Sequence, residues 1–428
     1  MSASHRDSRS ILEARSTVRP ALTDATSALT RTSGASPCRP LPYDCVVIVS
    51  PFFWNFRDDI PGTTQHVASV FASWLPTIFL EPPVAWNPRS NHFRIHRLAR
   101  AVCGPAIRKP RPGLTVFHRR TTPLGRYGAI RARDASRCTS TIRTYLRDRG
   151  FRKVLLWHSF PYSSEFVIDT LEHTTLVYHS LDHCSMEEDG RIARRADVVF
   201  CVSEGLVAKH GAVNPNTFLL PNGVDLALFD PARISSLDRP RDLPSDRAII
   251  GFLGVLNSHV DFSLLVCVAQ AFPERHVAIV GKLAQYENAP RGAQRKALDV
   301  LRRLGNVRLY GFQPTADLPR YVNAFDVCLI PFLNDEFNQQ ADPLKFYEYL
   351  ALGKPVVTTS VPAARRYPSL CRIADLPAEF TSAIATALAE RESPAIRDAR
   401  IEVATRHGWP SLLARACEHL PDSPYSPS

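Results

Sequence analysis

The chain has 428 residues, of which 45% are hydrophobic and 22% charged, so it can bury two ordinary cores. No apolar run reaches the roughly 18–20 residues of a membrane span, which argues against a transmembrane protein. The formal net charge of +11 is compatible with an anionic partner but does not identify one.

The first forty residues are rich in Ser, Thr, Ala and Arg and contain no continuous apolar stretch. This composition is unlike a secretory signal, and three acidic residues in it disfavour an organelle transit peptide. We therefore expect residues 1–40 to be a disordered leader, and residues 421–428 a disordered tail. The ten cysteines include no C-x-x-C pair, a pattern typical of reduced thiols in a cytoplasmic protein rather than of a disulfide framework or zinc site.

The positive charge is concentrated in residues 87–153, which hold eighteen Lys and Arg against two acids. One interpretation is a basic surface for an anionic membrane leaflet or a phosphate-bearing acceptor. The other is the solvated surface of an arginine-rich chain. Nucleic acid is disfavoured because aromatic residues are sparse there and no nucleic-acid-binding module is visible.

In the first half of the chain, short β-branched runs alternate with segments of helical length. The predicted strands are 44–50, 77–81, 114–118, 153–157, 175–179 and 197–202. Apolar runs without strict alternation suit strands that are covered on both faces of a parallel sheet. A turn at Asn222–Gly223 and a Pro-rich stretch then indicate a first domain over 41–225 and a linker over 226–245.

The second half repeats the pattern and predicts a domain over 246–403. Its predicted strands are 248–254, 276–281, 306–310, 326–331 and 355–359. The fold class is therefore α/β, with two doubly wound Rossmann-like domains that face each other across a cleft. We expect a final helix, 404–420, to cross back onto the first domain.

The segment 342–358 is the strongest candidate for a nucleotide site. Asp342 and Pro343 predict a helix start, and the helix would run to residue 352. Lys345 and Glu348 then share one face, about 4.5 Å apart along the axis. The first turn, including Leu344, and the Lys345 ammonium could bind a diphosphate, and Glu348 could accept hydrogen bonds from ribose hydroxyls. The alternative is a surface Lys–Glu pair beside an apolar stripe.

Several motifs carry a resemblance to a known family. They are P-N-G-V-D at 221–225, G-F-L-G at 251–254, N-V-R-L-Y-G-F at 306–312 and D-P-L-K-F-Y-E-Y-L-A-L-G-K-P-V-V at 342–357. The chain resembles bacterial family-4-type glycosyltransferases, which have the GT-B fold. Residues 50–67 and F-L-E-P-P at 79–83 resemble a subgroup linked to cell-surface polysaccharide assembly.

The resemblance implies transfer, with retention, from a nucleoside-diphosphate sugar to a lipid-linked or polysaccharide acceptor. It also implies a cytoplasmic enzyme, in peripheral contact with the inner face of the membrane, that requires no metal. Glu348 matches the second glutamate of the family's E-x7-E motif, the ribose ligand. The first position holds Gln340, which can hydrogen-bond to the sugar but cannot carry charge. The basic residues that the family has after the first strand of its second domain are missing, so Lys345 would supply the diphosphate charge.

The first domain contributes candidates at the carboxyl ends of its strands. Gly62 precedes a helix whose free N–H groups could bind the β-phosphate. His158 and the pair Asp182–His183 follow predicted strands. Asp182 could orient an acceptor hydroxyl, and either histidine could contact the sugar. Each could equally be an ordinary turn or loop residue.

Two other functions remain open on the sequence. Sugar-nucleotide 2-epimerases share this architecture, and a non-catalytic sugar-nucleotide-binding partner would be compatible with Gln340. No D-x-D motif and no His/Cys cluster at ligand spacing predicts a metal site.

Overall fold

The structure is a computed structural model that describes residues 36–37, 40–54, 61–83, 107–119, 128–159, 161, 165–234, 236, 238–285, 288–389 and 393–421. The predicted leader and tail fall almost wholly outside these residues. So do residues 87–106 and 120–127 of the basic segment.

The first domain is built on an eight-stranded sheet in the order β3-β4-β2-β1-β5-β6-β7-β8, in which only the β3–β4 pair is antiparallel. The strands are β1 (Cys45–Val49), β2 (Thr77–Leu80), β3 (Ile107–Arg111), β4 (Leu114–Phe117), β5 (Val154–Ser159), β6 (Thr175–Ser180), β7 (Val198–Cys201) and β8 (Thr217–Leu219). The helices are α1 (Thr63–Trp74), α2 (Gly128–Asp148), α3 (Glu165–Thr170), α4 (Glu187–Arg195) and α5 (Glu204–Gly211).

Helices cover both faces of this sheet, as the unbroken apolar runs predict. Helix α1 packs on one face through side chains such as Val67 and Phe71. Helices α2 to α5 pack on the other, where Ile142 and Leu206 are fully buried.

The second domain is built on a six-stranded parallel sheet in the order β11-β10-β9-β12-β13-β14. Its strands are β9 (Ile249–Leu253), β10 (His276–Val280), β11 (Val307–Gly311), β12 (Val327–Ile330), β13 (Val356–Thr358) and β14 (Arg372–Ile373). The remaining helices are α6 (Pro231–Ile234), α7 (Phe262–Ala271), α8 (Gly292–Leu301), α9 (Leu318–Ala324), α10 (Leu344–Ala351), α11 (Pro362–Arg366), α12 (Pro377–Ala389), α13 (Pro394–Arg406) and α14 (Trp409–Cys417). The predicted α/β architecture with two Rossmann-like domains is confirmed.

The C-terminal segment divides between the two domains. Ala404 at the end of α13 is buried in the core of the second domain. The chain then crosses over, and Trp409 and Leu413 of α14 pack in the core of the first domain against α1. The returning helix is therefore shorter than the predicted 404–420. The predicted linker is also packed, because Phe229 and Leu243 are buried in the second domain.

No helix among the described residues is long and apolar enough to cross a membrane. The eight cysteines in the described part of the chain are all free thiols.

Candidate active site

A short hydrogen-bonded chain joins the N-termini of α1 and α10 across the cleft. The Thr63 hydroxyl at the start of α1 donates to Asn222 Oδ1 at 2.6 Å. The Asn222 backbone N–H in turn donates to Asp342 Oδ2 at 2.7 Å. The two helix ends that the sequence assigns to phosphate binding are thus brought together.

Asp342 links separate segments of the protein through the hydrogen bonds that its carboxylate accepts. Its carboxylate is buried and also accepts the Tyr347 hydroxyl at 3.1 Å. Burial raises its pKa to about 6, an effect opposed by Arg366 and by the Asn222 N–H. Helix α10 begins at Leu344 with Pro343 as the N-cap residue, and no side chain caps it. The prediction that Asp342 caps this helix is therefore wrong, because Pro343 is the N-cap residue and the Asp342 oxygens accept hydrogen bonds from Asn222 and Tyr347 instead. Its predicted contact with the donor stays a prediction.

Two residues that the sequence analysis missed complete this link. Arg366 forms an ion pair with Glu204 of α5, with nitrogen–oxygen distances of 2.9 and 3.2 Å, and donates to the Tyr347 hydroxyl at 2.8 Å. His407 stacks on the Tyr347 ring at 4.3 Å between centroids and lies 3.1 Å from the Asn222 carbonyl oxygen. Their partners are distant in sequence, so no local pattern could have identified them.

Lys345 and Glu348 lie on the accessible face of α10, as their spacing predicts. Both are half-buried, whereas Phe346, Tyr347 and Tyr349 on the other faces are fully buried. The surface that these two side chains share is the part of α10 that a ligand could reach. Leu344 is half-buried and packs against the core of the first domain, so the first turn of the helix faces the cleft.

The Lys345 ammonium is held by aromatic rings instead of by a carboxylate. Nζ lies 4.4 Å from the Phe332 ring centroid and 5.2 Å from that of Phe252. Among the described residues, no carboxylate forms an ion pair with it. Burial lowers its pKa to about 8, although Glu348 opposes the shift. Such a cation is well placed to gain an anionic ligand.

Gly254, just after β9, makes room for this side chain. Its φ of 146° favours glycine, and a Cβ there would lie 2.7 Å from Lys345 Cε. The loop after β9 is where the resembled family has basic residues and this chain has none. The Lys345 ammonium lies at that same loop, although Lys345 itself belongs to helix α10.

Glu348 lies in an environment that disfavours its charge. Burial raises its pKa to about 7, and Asp225 adds to the shift while Lys345 opposes it. A carboxylate in this setting gains from hydrogen bonds donated by a ligand, such as a pair of ribose hydroxyls.

The Gly62 loop is close to this site, but its own amide is occupied. The Gly62 N–H donates to Gln65 Oε1 at 3.1 Å within a capping arrangement. The amides of Thr63 and Thr64 are the first two of helix α1, and such amides have no acceptor within their own helix. The amides left for an anion are therefore those of the first turn of α1, which are the groups that the sequence analysis names, and phosphate binding there stays a prediction.

On the first domain, His183 faces the second, and Asp182 precedes it in the chain. His183 Nε2 lies 3.6 Å from Glu336 Oε1 across the cleft. Asp182 is half-buried, and burial raises its pKa to about 7. His183 therefore lies between the domains, and the predicted roles of both residues stay predictions.

Gln340 also lies between the domains. Its Cγ is 3.5 Å from the position that a Cβ on Gly205 of α5 would take. Within the described residues, its Oε1 is buried and has no hydrogen-bond partner. A polar atom left this way is suited to a hydroxyl donor from a ligand.

His158 does not lie on the cleft surface. It is inside strand β5, not after it, and its side chain is fully buried, with its ring centroid 6.3 Å from that of Tyr178. The prediction that it follows the strand is therefore wrong, because β5 extends one residue beyond it, and its contact with the sugar stays a prediction. Among the described residues, no group of three or more His, Cys, Asp or Glu side chains could hold a metal ion.

Comparisons with known proteins fit this geometry. Residues 247–390, which include β9 to β14, match the family described as glycosyl transferases group 1. Over 237 residues the chain is 27% identical to a protein of Bacillus subtilis (strain 168) named as the teichuronic acid biosynthesis glycosyltransferase TuaH. That match covers 54% of this chain and 58% of the relative's length.

Solved structures show the same fold over nearly the whole chain. Sucrose-phosphate synthase from Thermosynechococcus elongatus superposes with a TM-score of 0.64 at 16% identity, covering 88% of this chain and 98% of that one. Anabaena Alr3699/HepE, solved in complex with UDP and glucose, gives a TM-score of 0.60 at 16% identity, covering 88% of this chain and 100% of that one. The chain therefore has the GT-B fold, and the part of its second domain over residues 247–390 is similar to the glycosyl transferases group 1 family.

Proposed function

We propose that this chain is a glycosyltransferase of cell-surface polysaccharide biosynthesis that uses a nucleoside-diphosphate sugar. The observation that carries the proposal is the pair on α10, in which the Lys345 ammonium has no carboxylate partner in the described residues and Glu348 shares its accessible face. A cation and a carboxylate one helical turn apart match the diphosphate and the ribose of one nucleotide. The names of the relatives support the same activity.

The donor would lie along the cleft between the two helix N-termini. Lys345, the first amides of α10 and those of Thr63 and Thr64 would bind the diphosphate oxygens. Glu348 would accept the ribose hydroxyls. The sugar would then extend towards Gln340 and Asp182.

In the reaction, the bond between the anomeric carbon and the diphosphate oxygen breaks, and a bond to the acceptor oxygen forms. The acceptor proton passes to the departing diphosphate, and the anomeric configuration is retained. Negative charge grows on the diphosphate as this bond breaks, so fixed positive groups at Lys345 and the helix amides stabilise the transition state. The proposal includes no metal, because these groups supply the positive charge.

The acceptor that we propose is a lipid-linked or growing saccharide at the inner face of the cytoplasmic membrane. Arg133 and Arg137 are exposed one turn apart on α2, and Arg147 is exposed further along the same helix. Such a stripe suits the surface of an anionic leaflet and would bring the enzyme to its acceptor.

The test is a panel of UDP-, GDP- and TDP-sugars, followed by calorimetry and product analysis. Release of nucleoside diphosphate with transfer to an acceptor supports the proposal. A changed sugar would instead identify an epimerase, and binding without turnover a non-catalytic partner. Lys345→Ala should weaken binding of the preferred nucleotide roughly 10–100-fold, whereas Lys296→Ala, an exposed lysine of α8, should leave it unchanged. Equal affinities for the two variants would contradict the site.

A further inference from the structure

A cavity of about 570 Å³ lies at the amino edge of the first sheet. Thr77 and Leu114, which line it, are the first residues of the parallel strands β2 and β4. The proposed donor site is at the carboxyl ends of the strands, so this cavity is on the opposite edge of the sheet. Its volume is within the range of roughly 300–1,000 Å³ that is usual for small-molecule sites.

Two segments that are distant in sequence line this cavity. One is the β3–β4 hairpin, which contributes residues 109–115. The other is the end of α2 and the turn after it, which contribute Tyr145, Arg149 and Phe151. The hairpin turns at Pro112–Gly113, where the φ of Gly113 is 73°, a value that favours glycine. A fixed turn on one side and a helix end on the other give the cavity a defined shape.

Basic side chains line this cavity without acidic ones. Lys109, Arg111 and Arg149 all belong to its lining, and among the described residues no aspartate or glutamate does. Asp148, which precedes Arg149 in the chain, pairs with Arg147 at 3.9 Å. Within the described part of the chain, neither Lys109 nor Arg149 forms an ion pair. The cavity therefore favours an anionic ligand.

The guanidinium of Arg149 is held in place by an aromatic ring. Its Cζ lies 3.6 Å from the centroid of the Tyr145 ring. The Tyr145 hydroxyl lies 2.8 Å from the Thr115 hydroxyl on β4, and the Tyr145 ring packs edge-on against Phe117. Stacking on a ring leaves the N–H donors at the edge of the guanidinium plane open to an anion, and this planar fork matches the oxygens of a phosphate.

The rest of the lining is largely apolar. Pro76 and Pro112 are exposed, and Pro110 and Phe151 are half-buried. An inorganic anion would contact only the cations, whereas a phosphate ester with hydrocarbon chains would also cover these apolar surfaces. Because removal of apolar surface from water is favourable, the cavity favours the ester with chains.

Helix α2 joins this cavity to the arginine stripe that is proposed to face the membrane. The helix has 21 residues, so it is about 30 Å long, and its exposed Arg133 and Arg137 lie in its first half. Arg149 directly follows its last residue. The stripe and the cavity therefore belong to the two ends of one helix, and a membrane surface along this helix would reach both.

We propose that this cavity binds the phosphate of one anionic phospholipid. Arg149 and Lys109 donate to the phosphate oxygens, and the first carbons of the lipid chains pack on the prolines of the lining. One lipid bound in this way anchors the first domain on a membrane and leaves the cleft open to the donor and acceptor. The choice of a lipid rests on the membrane contact proposed for α2, whereas the anion site rests on the cavity alone.

The test uses short-chain lipids that stay monomeric, so that binding in a cavity is separated from attraction to a charged vesicle. Dihexanoyl-phosphatidylglycerol, dihexanoyl-phosphatidylcholine and glycerol phosphate are titrated into the full chain by calorimetry, with both lipids below the concentration at which they form micelles. We expect the phosphatidylglycerol to bind about tenfold or more tightly than either of the others. The phosphatidylcholine lacks the net negative charge, and glycerol phosphate lacks the chains.

Two variants test the cations and the shape of the cavity separately. Lys109→Ser with Arg149→Ser removes two positive charges and should weaken phosphatidylglycerol binding about tenfold or more. Pro112→Trp keeps the charge and fills the cavity with a ring, while the positive φ of the turn stays with Gly113, so it should weaken the binding by a similar factor. Melting temperatures check that each variant is folded, and the double variant decides the matter if Pro112→Trp does not fold.

The matched control is Arg194→Ser with Lys296→Ser. It removes one arginine and one lysine from exposed positions outside the cavity and should leave the affinity for phosphatidylglycerol within about twofold of the wild type. Equal losses for the two double variants, or no phosphatidylglycerol binding by the wild type, would overturn the proposal. So would unchanged lipid affinity in a folded Pro112→Trp protein.

Two further outcomes separate this site from its rivals. If glycerol phosphate binds as tightly as the lipid, the cavity is a site for a free phosphate ester and the lipid is excluded as its ligand. UDP, GDP and TDP are titrated into the same proteins, and their affinities should not change in any variant. If the lipid binds and no nucleotide does, the proposed donor function fails while this site stands, and nucleotide binding without lipid binding gives the reverse.

Discussion

The backbone N–H of Asn222 donates to the Asp342 carboxylate at 2.7 Å, and its side-chain amide donates to the carbonyl oxygen of the same residue. These residues are 120 positions apart in the chain, and they join the segment after β8 to the start of α10. The contact determines where the N-terminus of α10 points. The position of the proposed nucleotide-sugar site in the cleft therefore depends on a hydrogen bond between two residues that do not themselves bind the nucleotide sugar in this proposal.

Removal of the Asp342 carboxylate should destabilise the fold. In Asp342→Ala, the Tyr347 hydroxyl and the Arg366 guanidinium lose their buried acceptor, and loss of one partner from such a network costs about 3 kcal/mol. Urea unfolding followed by circular dichroism measures the change. Asp246→Ala, which removes an exposed carboxylate paired with Arg247, is the control and should unfold as the wild type does. Identical midpoints for the two variants would show that the link is not stabilising.

The pH dependence of nucleotide binding follows from the two side chains on α10. The pKa of Lys345 is lowered to about 8, so its ammonium is lost as pH rises through that value. The pKa of Glu348 is raised to about 7, so its carboxylate is lost as pH falls through that value. Because the proposed site needs both charges, affinity for the preferred nucleoside diphosphate should be highest between about pH 7 and 8.

Calorimetry from pH 6 to 9.5 checks this window. The Lys345→Arg variant should keep its nucleotide affinity above pH 8, because a guanidinium group stays protonated there. The different shape of arginine should lower the highest affinity that the variant reaches. An alkaline decline of the same steepness in this variant would assign the titration to another group.

Much of the site could be predicted from the sequence because it is local. Lys345 and Glu348 are one helical turn apart, and a helix between Pro343 and Gly353 determines that they share a face. The roles of Asp342 and His158 could not be predicted in this way. The first depends on Asn222, a distant partner, and the second on a strand that ends two residues later than its apolar run. A pattern predicts which elements form, but it does not show which oxygen is already bonded when distant segments meet.

Gln340 should affect turnover more than nucleotide binding. Its side chain lies beside Gly205 of the first domain. Its Oε1, which has no hydrogen-bond partner among the described residues, lies where the donor sugar is proposed to sit, away from the diphosphate. Gln340→Ala should therefore lower kcat at least tenfold, the effect of roughly one lost hydrogen bond to the reacting sugar, and leave nucleoside-diphosphate affinity within about twofold. Gln339→Ala removes the neighbouring amide, which is bonded to Asn334 and Arg365, and is the control for loop disruption. An equal fall in kcat for both variants would mean that the loop, and not the Gln340 amide, is responsible.

The arginine stripe on α2 should determine membrane binding if the acceptor is at a leaflet. Arg133→Ser with Arg137→Ser removes two exposed charges, and each arginine near an anionic surface contributes about 1 kcal/mol. Affinity for vesicles that contain phosphatidylglycerol should then fall roughly 30-fold at low salt, with no change for pure phosphatidylcholine vesicles. Vesicle sedimentation measures both. Arg302→Ser with Arg303→Ser removes the same charge from the second domain and should have little effect. If both double variants lose the same affinity, the attraction comes from net charge, and α2 is not the surface that meets the membrane.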